Sequence, residues 1–103
     1  MKNIPFQNFG TQKNWINGRY MDSNSSNTIA VISPYYDKEI ATVPDSNFED
    51  LDQTVKIAKK IFTVWAELNI RDRAEIMFQF KSIMEKNLEE LACLIALDNG
   101  KTI

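Results

Sequence analysis

Three consecutive helix signatures occupy the second half of this chain, and they constrain the fold more than any other feature. Directly after Pro44-Asp45, the run Ser46-Asn47-Phe48-Glu49 reads as a capping box. Leu51, Val55, Ala58, Phe62 and Trp65 then recur on one helical face. Asn69 and Asp72 mark a second start, and Ile76, Met77, Phe80, Ile83 and Met84 again form one stripe. Asn87, with Glu90 three residues on, is expected to cap a third helix that closes on a left-handed stop at Asn99-Gly100. Phe62 and Trp65, on the first stripe, are expected in the core.

The first half carries turn and strand signals instead. After a polar lead-in at 1–13, Asn17-Gly18 supplies the two positive-φ positions of a type I′ turn, flanked by Trp15-Ile16 and Arg19-Tyr20-Met21. Beyond a Ser- and Asn-rich loop, Thr28–Ile32 and Glu39–Val43 read as strands stopped by Ser33-Pro34 and Pro44. Their short connection favours antiparallel pairing. The expected class is α+β in one domain over 1–103, with hairpins at 14–44 and helices at 46–100. Two short hairpins are marginal unless something covers them.

The third helix is unusual. Leu88, Leu91, Ala92 and Ile95 form one face, while Leu94 and Leu97 project elsewhere beside Cys93. A helix apolar over most of its circumference expects protein on two sides. If Leu94 and Leu97 stayed wet, the chain would expose a large apolar patch and self-associate through this helix. Chain remains after the helix stop, as Lys101-Thr102-Ile103. The expectation is the front end of a larger protein.

Several function classes recede on composition. Net charge is −2, with acids and bases interleaved, so no basic surface for nucleic acid or anionic membrane is expected. The N-terminus has no export signal, and no apolar run approaches the roughly 20 residues of a membrane span. The single cysteine suits a reducing, cytoplasmic setting. There are no histidines, which removes the commonest general base and transition-metal ligand. The three glycines, Gly10, Gly18 and Gly100, are too scattered for a phosphate-binding loop.

Cys93 lies mid-helix beside Glu89 and Glu90, without a base or cation to make it a thiolate, and reads as a packing residue. Glu49, Asp50 and Asp52, like Glu89 and Glu90, fall in first helical turns, where carboxylates complement the helix dipole. Lys59, Lys60, Arg71 and Arg73 read as solvated faces or ion pairs. No catalytic or cofactor-binding residue is assigned.

The motifs W-I-N-G-R-Y, T-I-A-V-I-S-P, E-I-A-T-V-P and F-T-V-W, in this order, resemble the N-terminal segment of the aldehyde dehydrogenase superfamily. R-D-R-A-E-I-M-F-Q-F and L-A-C-L-I-A-L-D-N-G-K-T extend the resemblance over nearly all the chain from Asn14 onward. It is strongest to the CoA-acylating methylmalonate-semialdehyde dehydrogenases. The chain departs from the family pattern at Ser33-Pro34-Tyr35-Tyr36, where Asn-Pro-Ala-Thr is usual, and at Asp98, where Glu is usual.

The resemblance implies the front part of a cofactor domain in a homo-oligomeric enzyme about five times longer. Its catalytic cysteine, general base, oxyanion-hole asparagine and NAD-binding residues would all lie beyond Ile103, and Cys93 does not match the catalytic cysteine. The implied chemistry of the whole enzyme is aldehyde oxidation to a thioester with NAD as hydride acceptor. CoA then takes the acyl group with loss of carbon dioxide, giving propionyl-CoA. The resemblance also implies a monovalent-cation site using the carbonyls of Val31 and Ile32 and the acid Asp98. The expected function is a truncated, inactive N-terminal fragment whose partner is the remainder of the enzyme or a second copy. The alternative is an autonomous α+β module that binds a partner through its last helix.

Overall fold

The computed structural model describes residues 4–103. Seven elements follow in order: β1 (Asn14–Ile16), β2 (Arg19–Met21), β3 (Thr28–Ser33), β4 (Lys38–Pro44), α1 (Phe48–Glu67), α2 (Ile70–Lys86) and α3 (Leu88–Asn99). The α+β arrangement of two antiparallel hairpins followed by three helices matches the sequence expectation.

The first hairpin turns as its sequence dictates. Asn17 and Gly18 take φ of 55° and 72°, the pair of left-handed positions that a type I′ turn requires. Trp15 and Tyr20 face each other across the pair and pack edge to face, with centroids 4.7 Å apart. In the second hairpin the register shifts between Val31 and Ile32, which oppose Ala41 and Glu39, so Ile40 is the extra residue of a β-bulge. The bulge breaks the in-out alternation and lets Ile40 and Ala41 both be buried. The outer edge of β4 is covered by residues 9–12, through Phe9 N–H to Ile40 O (2.7 Å), Gln12 N–H to Thr42 O (2.8 Å) and Thr42 N–H to Gly10 O (3.0 Å).

Helix α1 opens one residue later than Ser46-Asn47-Phe48-Glu49 suggests. Asn47 is the N-cap, its side chain accepting from Asp50 N–H at 3.1 Å, while the Asp50 carboxylate accepts from Asn47 N–H at 3.1 Å. Asp50 wins over Glu49 because the reciprocal box needs the acid three residues after the cap. Asn69 caps α2 as expected, accepting from Asp72 N–H at 2.9 Å. Asn87 does not cap α3. Its amide donates backwards to Ile83 O at 2.8 Å and closes α2. With one residue between the two helices, the side chain can serve one end only.

The helices do not collapse into a bundle. Leu68 and Asn69, the two residues joining α1 to α2, both have extended backbone and carry α2 away from α1. The radius of gyration is 17.3 Å, against about 13 Å for a compact chain of this length. The accessible surface is 8478 Å², whereas a compact monomer of this mass exposes about 6,000 Å². The core is correspondingly small: Ile4, Ile40, Ala96 and Leu97, with Phe9, Val31 and Tyr36 packed against it.

Two packing expectations are thereby corrected. Phe62 is 66% exposed and Trp65 half-buried, so the α1 stripe is not core. On α3 the inward residues are Ala96 and Leu97, while Leu88 and Ile95 of the expected face are open. The sheet covers one side of α3, taking Leu97 and with it Ala96, while Leu94 stays 36% exposed.

Candidate functional site

Ser33-Pro34 and Asn99-Gly100, distant in sequence, meet at the point where α3 reaches the second hairpin. Ser33 is fully buried, and its Oγ donates to Leu97 O at 2.5 Å, satisfying a carbonyl of the last helical turn. Gly100 ends α3 at φ 72°, with its N–H donating to Ala96 O at 2.8 Å. A Cβ at Gly100 would lie 3.2 Å from Pro34 Cγ, so glycine serves both the left-handed stop and the close approach.

Beside this junction runs an open groove of about 440 Å³, lined among others by Val31, Ile40, Ala41, Leu94, Leu97 and Asp98. Val31 and Asp98, two of the three residues for which the family resemblance implies cation binding, both line it. Ile32 does not line it. Asp98 is exposed at the rim, and among the described residues no cluster of three or more Asp, Glu, Cys or His could hold a metal ion. Cys93 is a free, half-buried thiol on α3. Glu89 and Glu90 are exposed in the first turn of α3.

The most highly organised polar cluster centres on Asp50. Its carboxylate accepts from Ser23 Oγ (2.5 Å), Asn24 N–H (2.9 Å), Asn24 Nδ2 (2.9 Å) and Asn47 N–H (3.1 Å). The Ser23 hydroxyl first, and then the Asn24 backbone, hold this carboxyl below its ordinary value of 3.8 against the opposing effect of burial. The cluster joins the loop after β2 to the start of α1, and Asn14 Nδ2 donating to Ser46 Oγ at 2.8 Å adds a second tie. Spacing alone marks Asp50 as a first-turn acid. The contact with Ser23 and Asn24 crosses 26–27 positions of chain and has no local signature.

The three glycines, Gly10, Gly18 and Gly100, all take positive φ and lie in separate connections of the chain. The arrangement sets the directions of helices against hairpins.

Comparison with known proteins identifies the larger architecture to which such a segment belongs. The model of the aldehyde dehydrogenase family matches residues 20–103. This chain belongs to the aldehyde dehydrogenase family. It is 41% identical over 90 residues to the malonate-semialdehyde dehydrogenase of Halalkalibacterium halodurans, covering 87% of this chain and 19% of that protein. With malonate-semialdehyde dehydrogenase 1 of Geobacillus thermodenitrificans it shares 40% identity over 92 residues, 89% of this chain and 19% of the relative. Malonate-semialdehyde dehydrogenase 2 of Bacillus mycoides is 38% identical over 96 residues, 93% and 20% respectively. The chain thus spans about one fifth of the length of these family members. Among the described residues no helix is long and apolar enough to cross a membrane.

Proposed function

We propose that this chain corresponds to the N-terminal part of an NAD-dependent, CoA-acylating semialdehyde dehydrogenase acting on malonate or methylmalonate semialdehyde, and that its role is structural. The observation that carries the reading is the pairing of family membership over one fifth of a relative's length with helices whose apolar stripes have no cover. In the whole enzyme NAD accepts the hydride and CoA the acyl group. On this reading the residues that hold both lie in the rest of the enzyme. What the chain supplies is a junction, with Ser33 and Gly100 anchoring α3 on the hairpin and Asp50 fixing the origin of α1. The stripes of α1 and α2 would then pack on the remaining four-fifths of the enzyme. The cation reading stays with this proposal: Val31, Ile32 and Asp98 would contribute oxygen ligands suited to a hard monovalent ion.

The test is complementation. A malonate-semialdehyde dehydrogenase lacking its matched N-terminal segment is co-expressed with this chain and assayed for NADH formation with semialdehyde and CoA. The chain alone is expected to give none, and the pair to regain activity. NADH production by the chain alone, abolished by Cys93→Ser, refutes the structural role.

A further inference from the structure

Asparagine is chemically labile where the next residue is small enough to let its backbone nitrogen reach the side-chain amide. Asn17-Gly18, Asn24-Ser25 and Asn99-Gly100 meet that condition by sequence. Attack of the following nitrogen on the asparagine Cγ forms a C–N bond and breaks the Cγ–Nδ2 bond. The attacking nitrogen gives its proton to solvent, and the departing nitrogen takes up a proton and leaves as ammonia. Water then opens the resulting succinimide at either carbonyl, giving aspartate or isoaspartate.

The structure treats the three pairs unequally. Gly100 N–H donates to Ala96 O at 2.8 Å, in a helix end fixed by buried Leu97 and by the Ser33 hydroxyl on Leu97 O. Ser25 N–H donates to Ser23 Oγ at 3.0 Å, and Asn24 Nδ2 to the buried Asp50 carboxylate at 2.9 Å. At both places the attacking nitrogen is committed as a donor, and freeing it means breaking contacts with buried groups. Asn17 and Gly18 are exposed, and the pairing of β1 with β2 ends at Ile16 and Arg19 on either side of them. Among the described residues no hydrogen bond engages the Gly18 N–H or the Asn17 side chain. A Cβ at Gly18 would meet nothing within 4 Å, so the approach is unobstructed. Strands β1 and β2 have three residues each, and so short a hairpin opens at little cost.

We propose that Asn17 is the deamidation site of this chain, ahead of Asn99 and Asn24, and that its conversion to isoaspartate unmakes the first hairpin. Isoaspartate carries the chain through its side-chain carboxyl and so adds a methylene to a two-residue turn. The type I′ geometry needs both turn residues in the left-handed region, and the lengthened turn no longer sets Trp15 against Tyr20. Every contact that sets this order of reactivity is made within the chain itself, so the order does not depend on the enzymatic reading.

The experiment incubates the 103-residue chain at mildly alkaline pH and follows each asparagine by peptide mass mapping, with isoaspartate counted by enzymatic methyl transfer. In concentrated urea Asn17 and Asn99, both followed by glycine, should react at similar rates. In the native chain Asn17 should react at least about tenfold faster than Asn99, because the end of α3 must first open. Leu97→Ala should quicken Asn99 and leave Asn17 unchanged, a selectivity that the Asn-Gly sequence alone would not produce. In the isoaspartyl product the Trp15–Tyr20 ring contact, 4.7 Å between centroids in the native hairpin, should be lost from the NMR spectrum. Equal native rates at Asn17 and Asn99, no response of Asn99 to Leu97→Ala, or an intact ring contact in the product would each overturn the proposal.

Discussion

Leu97→Ala tests whether the fold hangs on the junction between α3 and the second hairpin. Leu97 is 3% exposed and, among the described residues, shares its core cluster with three other buried apolar members, Ile4, Ile40 and Ala96. Burying a leucine side chain contributes about 1.5–3 kcal/mol, and an enclosed cavity raises the cost of truncation to about 2.7–5 kcal/mol. Leu97 borders the open 440 Å³ groove, so the space it vacates communicates with solvent and the cavity contribution is small. A loss of about 2.5 kcal/mol is expected. Bulk helicity is a poor probe because α1 and α2 make no substantial contact with this core. Amide hydrogen exchange resolves the matter: protection of β3 and β4 amides should fall about sixtyfold. Leu88→Ala, on the same helix but 64% exposed, should leave exchange nearly unchanged. Equal effects of the two substitutions would refute the claim that the α3–hairpin contact is the core.

Further outcomes follow from the same contacts. Gly100→Ala should destabilise by more than about 1 kcal/mol in urea unfolding, because it meets both the positive φ and the Pro34 ring. The Asp50 carboxyl is held below 3.8, so its stabilisation is complete above that pH and lost as pH falls through the lower folded-state value. Protection of the Asn24 and Asn47 amides, relative to their intrinsic exchange at each pH, should therefore fall in acid in the native chain, and be low and without that acid step in Asp50→Asn. A hydrophobic dye should bind the native chain, with Leu51→Glu and Phe62→Glu reducing the signal more than Leu94→Glu, since Leu94 is only 36% exposed.

Local chemistry made much of this protein legible before any coordinates. Asn17-Gly18 can hardly do otherwise than turn, Pro44 and Asn69 bound helices and strands by what their backbones and side chains permit, and Gly100 stops α3 where a left-handed residue is needed. The motif order carried the family. The candidate site was less legible: Asp98 was singled out only through the family resemblance, and nothing local announced that Ser33 would bury its hydroxyl on Leu97, or that Asp50 would gather Ser23 and Asn24. These contacts join segments far apart in sequence, and a side chain's preference for a donor does not say which distant donor arrives.

The same distinction separates the stripes from their fate. Periodicity at Leu51, Val55 and Phe62 determines that α1 has an apolar face, because side chains three and four apart share one side of a helix. Whether that face is covered depends on a second surface, and the extended Leu68-Asn69 joint takes α2 out of reach. On α3 the hairpin took Ala96 and Leu97 and left Leu88 and Ile95 open, a choice that the Ile40 bulge and the Ser33 hydroxyl made in three dimensions. Amphipathicity is a property of one helix; burial is a property of two surfaces, and only the tertiary structure supplies the second.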